Sequence, residues 1–335
     1  MVPRSTPKKP AAARPRKLNV AVIGAGVMAN NVHYPSLASL PGVKIAGICD
    51  LDPARLNATA DQYGVEGRYS DYRKMVEDLA PAAVYAIGQP HLMYDIWTWC
   101  LQQGQNLYIE KPLGLTLHQA RALAYLAEQN QCLTQVSFQR RTVPLLVDLH
   151  KRCLQRGPIV HAVCSFYKCN AEPFLGARDH MMDDGVHALD TLRWLCGGEV
   201  GEIESLTRRV LVPDVNFLAA LLHFDNGATG VLLNSWTSGR RIFRVEMHAP
   251  GICAEADPET QGRLYADGDT EGQLFETREV AKSEELFVFG GFQAKHREFV
   301  ECLRAKRQPG SNFADALHTM EVAERILAAN LLAGR

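Results

Sequence analysis

A chain of 335 residues with 47% hydrophobic and 8% aromatic content can bury a large core, and chains of this length usually divide that core in two. No apolar run approaches the ~20 residues that span a bilayer, which argues against a membrane protein. The 36 Lys and Arg residues nearly balance the 37 Asp and Glu. Six of those bases and no acid fall in residues 1–17, so the body stands at about −7 by charge counting and would repel a phosphate backbone; no nucleic-acid partner is expected.

Residues 1–17 read as a basic, disordered tail without an apolar leader. Nine cysteines in irregular spacing, with no CxxC pair, suit buried thiols in a reducing, cytoplasmic compartment better than a disulfide framework or a structural zinc site. The body begins with LNVAVI at 18–23, a short apolar strand ending at Gly24. A helix over 29–40, a strand over 43–49 and a helix near 53–63 follow. A strand at 82–87, a helix around 91–103, a strand at 105–109, a helix at 116–130 and a strand at 132–137 complete the alternation. Nearly continuous apolar strands separated by helices predict a parallel sheet covered on both faces, with ligands bound beyond the strand C-termini.

The first strand runs into Gly24-Ala25-Gly26-Val27-Met28-Ala29, a GxGxxA pattern that opens a helix. Gly24 permits the tight turn, Gly26 offers no Cβ to obstruct a pyrophosphate, and Ala29 is small enough for close helix–strand packing. Free N–H groups at the helix start, around Val27 and Met28, favour phosphate. Asp50 ends the second strand, 24 residues beyond Gly26. A carboxylate there can accept both ribose hydroxyls and repel the extra phosphate of NADP, so NAD is the expected cofactor, with NADP the alternative through Arg55. These features predict a Rossmann-type dinucleotide-binding domain over residues 18–140.

The second half, residues 141–335, has another rhythm. A helix near 143–155 leads to a strand over 158–168 and an apolar helical stretch from about 184 to 196. Strands are predicted at 203–212, 217–225, 228–235, 242–248, 251–256, 262–267, 272–277 and 284–289, with closing helices around 292–304 and 313–331. Turns as short as Asp225-Asn226-Gly227 cannot make parallel crossovers, so an α+β domain with a large, mainly antiparallel sheet is expected. Leu221, Leu222, Val231, Leu232, Leu233 and Trp236 supply more apolar surface than one thin layer hides, which points to a homodimer or homotetramer joined through that sheet.

Chemistry concentrates in two segments. Lys111, in Tyr108-Ile109-Glu110-Lys111-Pro112, follows a parallel strand, where an ammonium can donate to a substrate oxygen and favour alkoxide character. The run Arg178-Asp179-His180-Met181-Met182-Asp183-Asp184-Gly185-Val186-His187 places Asp183 and His187 at i and i+4, on one face of a helix, with Asp190 continuing that side. An imidazole beside a carboxylate can take a proton near neutral pH. His180, Asp184 and His187 also have a metal-like i, i+4, i+7 spacing, but organic active sites use the same residues, and no metal is assigned.

Taken in order, GAGVMA at 24–29, Cys49-Asp50, Glu110-Lys111-Pro112, Phe138-Gln139-Arg140-Arg141 with Pro144, and Asp183-x-Gly185-x-His187-x-x-Asp190 resemble the Gfo/Idh/MocA oxidoreductases, the glucose–fructose oxidoreductase and inositol dehydrogenase group. The resemblance spans about residues 18–330. It implies that Lys111, Asp183 and His187 are the catalytic group, with His187 the proton acceptor and Asp183 its partner or a substrate anchor. It implies cofactor contacts at Gly24, Gly26, Val27, Met28, Asp50, Gln89, Pro90, Glu110 and Lys111, and substrate contacts at Lys111, Tyr167, Arg178, Asp179, His180, Asp183 and His187. The chain departs from the usual pattern at Ala177-Arg178-Asp179-His180, where many relatives carry glycines. It departs again after the strand at 82–87, where Met93 stands in place of a frequent histidine. The expected function is NAD-dependent hydride transfer between nicotinamide and a secondary alcohol or ketone of a small sugar, cyclitol or polyol. Redox-assisted elimination or glycoside cleavage with retained NAD is one alternative, and a non-catalytic nucleotide-sensing or scaffold protein is another.

Overall fold

The computed structural model describes residues 17–170, 172 and 179–332, so the basic tail, Lys17 apart, and Arg178 lie outside the described residues. Six strands form the first sheet: β1 (Leu18–Ile23), β2 (Val43–Cys49), β3 (Gly67–Tyr69), β4 (Ala83–Ala86), β5 (Leu107–Ile109) and β6 (Thr134–Val136). They lie in the order β3-β2-β1-β4-β5-β6, every neighbour parallel. Helices α1 (Tyr34–Ser39), α2 (Pro53–Tyr63), α3 (Tyr72–Leu79), α4 (Pro90–Gln102) and α5 (Leu117–Gln129) connect them. Val20 and Val22 pack on one face with Tyr34, Leu37 and Tyr85, whereas Ala21 and Ile23 pack on the other with Met75 and Trp97. Burial of both faces is why these strands are apolar throughout rather than alternating.

The pattern of apolar runs passes over β3 and α3, because neither is long or periodic. The signal that marks α3 is Asp71, whose carboxylate accepts the Arg73 N–H at 2.8 Å as an N-cap.

The second sheet contains β7 (His161–Cys169), β8 (Val200–Arg208), β9 (Phe217–Phe224), β10 (Thr229–Ser235), β11 (Thr237–Ala249), β12 (Ile252–Asp257), β13 (Gln261–Ala266) and β14 (Gln273–Glu276). Their order is β14-β13-β12-β11-β7-β10-β9-β8; β7 and β10 run parallel and the other neighbours antiparallel. Helices α6 (Pro144–Leu154), α7 (Val186–Cys196), α8 (Thr277–Ala281), α9 (Leu286–Phe289), α10 (Phe292–Ala305) and α11 (Phe313–Leu332) complete the described chain. The strand predicted at 284–289 is therefore corrected to the single turn α9. Its Phe289 is buried but Leu286 is 48% exposed, so the run has no sheet face to satisfy, and periodicity cannot separate so short an apolar stretch from a helix.

The pleat divides the apolar residues of this sheet. Leu222, Leu232 and Trp236 are buried among the helices, while Leu221, Val231 and Leu233 are half-exposed on the opposite face. Helix α10 does not stay with the second sheet; it returns to the first, and Phe299 joins the cluster of Val22, Tyr85 and Tyr108.

Candidate active site

The C-terminal edge of the parallel sheet gathers the loops after β1, β2, β4 and β5. Gly24 has φ +104°, and a Cβ there would lie 1.9 Å from the Ile87 carbonyl oxygen, so the turn closes tightly only with glycine. Gly26 differs: nothing lies within 4 Å of the position its Cβ would take, which leaves its surface open to an approaching phosphate. Ala29 is buried, as close packing requires, while Val27 is 76% exposed and Met28 partly so at the lip of the loop. Asn30 ties the turn down by donating to the Ala25 and Gly26 carbonyls at 2.9 and 3.1 Å.

Asp50 is held from two sides. Its Oδ2 accepts the Ala25 N–H at 2.8 Å, and its Oδ1 accepts the Asp52 N–H at 2.8 Å. The Arg55 guanidinium lies 3.4 Å from Asp50 and 3.2 Å from Asp52. Glycine turn, open face and fixed carboxylate together fit the diphosphate and ribose of a dinucleotide. Gln89 is exposed and Pro90 begins α4 on the same edge. Gly24→Ala is expected to cost about 3 kcal/mol from backbone strain and overlap and to abolish cofactor binding, which thermal melts with and without NAD would measure.

Across that edge stands Lys111, joined to Pro112 by a cis peptide bond. Its Nζ donates to the Asp183 carbonyl oxygen at 2.8 Å and to Asp184 Oδ1 at 3.1 Å, with Asp183 Oδ1 at 3.6 Å. Asp184 Oδ2 is bound by Lys168. Burial alone would lower the lysine, but Asp184 and then Asp183 outweigh it, so the ammonium is held above the ordinary lysine range. Burial opposes ionisation of Asp184 as well; Lys111 and Lys168 overcome it and keep this carboxyl well below the usual range. Asp183 goes the other way, raised by burial and by Asp184 despite Lys111.

His187 is 9% exposed, and its Nδ1 has no hydrogen-bond partner among the described residues. Burial, then the charges of Lys111 and Arg140, hold the imidazole well below the ordinary histidine range. It is therefore neutral at pH 7 and able to accept a proton. Among the described residues no hydrogen bond or ion pair joins Asp183 to His187, the i, i+4 pair predicted on one α-helical face. Residues Met181–Gly185 make a π-helical turn before α7 begins at Val186, which changes the angle between positions 183 and 187. Asp184 and the Asp183 backbone, rather than an Asp183–His187 pair, bring this segment to Lys111. Asp190 also leaves the centre: its two oxygens take Arg141 Nε and Nη2 at 2.8 and 2.5 Å, with Thr319 at 3.1 Å.

Other expected contacts are redistributed. Tyr167 sits on the opposite side of the β7 pleat from Lys168, so the strand turns the lysine, not the tyrosine, towards Asp184. His180 stacks on Trp236 with centroids 4.7 Å apart, and Asp179 Oδ1 accepts the Met182 N–H at 3.0 Å. Among the described residues no three His, Cys, Asp or Glu side chains are placed to hold a metal. The carboxylate of Glu110 is engaged by a buried histidine pair and by the next backbone N–H. Its Oε1 meets His33 Nε2 at 2.9 Å, His33 Nδ1 meets His296 Nε2 at 2.9 Å, and Oε2 accepts the Lys111 N–H at 3.2 Å. Lys168, His33 and His296 had no motif to announce them; only the fold brings them here.

Residues 18–138 match the family model described as "Oxidoreductase family, NAD-binding Rossmann fold" of the GFO_IDH_MocA group, and residues 157–249 match its C-terminal domain. The chain is 25% identical over 326 residues to scyllo-inositol 2-dehydrogenase (NAD(+)) of Bacillus subtilis (strain 168), covering 91% of this chain and 92% of that protein. It is 25% identical over 338 residues to D-apiose dehydrogenase of Paraburkholderia graminis, covering 92% and 86%. The crystal structure of a dehydrogenase from Chromobacterium violaceum superposes with a TM-score of 0.85 at 19% identity, over 95% of this chain and 97% of that one.

Proposed function

The chain belongs to the Gfo/Idh/MocA family of NAD-binding oxidoreductases, and from that premise we propose that it interconverts a secondary alcohol and a ketone of a sugar, cyclitol or related polyol. The observation that carries this reading is the Lys111 ammonium, fixed by Asp184 and the Asp183 carbonyl and acting electrostatically on a buried, neutral His187, on the chain that also bears the Gly24, Gly26 and Asp50 cradle. Bound nicotinamide supplies the hydride acceptor. His187 takes the hydroxyl proton onto its ring, and Lys111 donates to the same oxygen as negative charge develops there. Asp184 and the Asp183 carbonyl fix the ammonium, leaving the Asp183 carboxyl to meet a second hydroxyl. Asp179 and His180 shape the wall behind. Purified protein mixed with NAD and a panel of sugars and cyclitols should develop absorbance at the reduced-nicotinamide band; a protein that binds no nicotinamide nucleotide would refute the reading.

NAD is preferred to NADP because the Asp50 carboxylate occupies the ribose end of the cradle. Replacing Asp50 with serine is expected to lower the NAD-to-NADP ratio of kcat/KM by roughly tenfold or more, since a charged acceptor is lost and a like-charge repulsion removed. An unchanged ratio in steady-state assays with both nucleotides would contradict this.

The half-exposed row of Val163, Leu221, Val231 and Leu233 supports assembly through the second sheet as a homodimer or homotetramer. Val231→Glu should shift the light-scattering mass in solution to that of one chain. The nine free cysteines, seven of them buried, accord with a reducing, cytoplasmic setting.

A further inference from the structure

One charge cluster beside His187 is left unused by hydride transfer. Arg140 is 7% exposed, its guanidinium lies 4.3 Å above the Phe243 ring, and its Nε has no hydrogen-bond partner among the described residues. Its Nη2 reaches Glu259 at 3.1 Å, and the other oxygen of Glu259 takes Arg241 at 2.5 Å. Phe243 meets Phe166 edge-on at 5.2 Å, and Lys168 Nζ stands 5.3 Å from the Phe166 ring while binding Asp184. A continuous wall thus runs from Lys111 through Asp184, Lys168 and the two phenylalanines to Arg140. Lys111, Lys168, Arg140 and Arg241 line this wall with Asp183, Asp184 and Glu259; Asp179 and Asp214 act on His180 beside it, and Glu110 is turned to His33. The charges of Lys111, Arg140 and Lys168 act on His187, with Asp184 opposing them. Nη2 of Arg140 is held by Glu259, but its buried Nε finds no acceptor among the described residues, a cost that an incoming acceptor would relieve.

We propose that the substrate is a polyhydroxy acid whose carboxylate is received by Arg140 and Lys168 while its reacting hydroxyl meets Lys111 and His187. This deepens the dehydrogenase reading and rests on it. The oxidised carbon loses its hydrogen with the electron pair to the cofactor and its hydroxyl proton to His187, leaving a keto acid whose carboxylate is unchanged. Phe166 and Phe243 form the apolar floor between the two ends, and the planar guanidinium edge matches a carboxylate better than it matches a lone hydroxyl.

The test compares paired compounds that differ only in the acid: D-glucose against D-glucuronate, and D-glucitol against D-gluconate, each with saturating NAD. The acid of a pair should be oxidised with a kcat/KM at least tenfold higher, and calorimetric titration of the NAD-loaded protein should show the same order of affinity. Arg140→Gln should lower the acid-to-neutral ratio at least tenfold, and Lys168→Met should lower it in a second, independent background; Glu259 retains Arg241 in the first variant and Asp184 retains Lys111 in the second. Equal or reversed preference in the unmodified protein would overturn the proposal while leaving the dehydrogenase reading intact. Ratios unmoved in both variants would do the same. NAD binding without turnover of any compound in either class would overturn both.

Discussion

Replacing Lys111 with methionine should lower kcat by roughly 10²–10³-fold, the scale on which removal of one aligned donor to a developing oxyanion acts. The fold should survive, because Asp184 keeps Lys168 as its counterion and is not left as a buried lone charge. The loss should appear mainly in kcat, since the ammonium gains most where the oxygen carries most charge. A second effect follows from the field at His187. Lys111 is the largest charge depressing that imidazole, so the K111M variant should move the acid limb of the pH–rate profile upward. An arginine at 111 keeps the charge but not its point-like geometry, and should restore the limb better than the rate. Steady-state kinetics from pH 5 to pH 8 would read both quantities.

Replacing His187 with alanine should cost roughly 10²–10⁴-fold in rate, the range of a positioned general base. The active form is the neutral imidazole, so kcat/KM in the unmodified protein should fall as pH drops through the pKa of His187. Burial, Lys111 and Arg140 place that value well below the ordinary histidine range, and the acid limb should therefore lie below about 6.5. The H187A variant should lose that limb altogether. A limb at or above the ordinary histidine value, or one that persists without the ring, would remove His187 from the proton-accepting role. The same shift enters stability. His187 and His296 are both held neutral by burial, so the unfolded chain binds more protons below about 6.5 and the fold weakens as pH falls through that window.

Much of the architecture is legible in the sequence because it depends on local rules. GAGVMA between an apolar strand and a helix has one economical conformation, and Gly24 adopts it at φ +104°. Helices at 53–63 and 116–130 carry their own stop and start signals, such as Gly64 after α2 and the Thr116 hydroxyl that accepts the Gln119 N–H at 3.2 Å. The placement of Lys111 after a parallel strand follows from the sheet rule alone. The partners of that lysine do not. An α-helical reading pairs Asp183 with His187, but one π-helical turn hands the ammonium to the Asp183 carbonyl and to Asp184 instead. Asp184 is kept ionised there by Lys111 and by Lys168 from β7, the second a pairing across tertiary space that no spacing announces. The pleat of β7 accounts for the exchange of Tyr167 for Lys168 in the same way. Glu110 belongs to a motif read from sequence, yet its orientation is set by His33 and His296, the second of which lies far along the chain on α10.

The most direct test of the central claim is a crystal structure of the protein with NAD and a bound polyol, from which the distances of nicotinamide C4 to the substrate carbon and of the substrate oxygen to Lys111 Nζ and His187 can be measured. C4 is expected to face the reacting carbon, whose oxygen should lie within hydrogen-bond reach of both side chains. A nicotinamide ring directed away from Lys111, or a substrate held where His187 does not reach its oxygen, would contradict it.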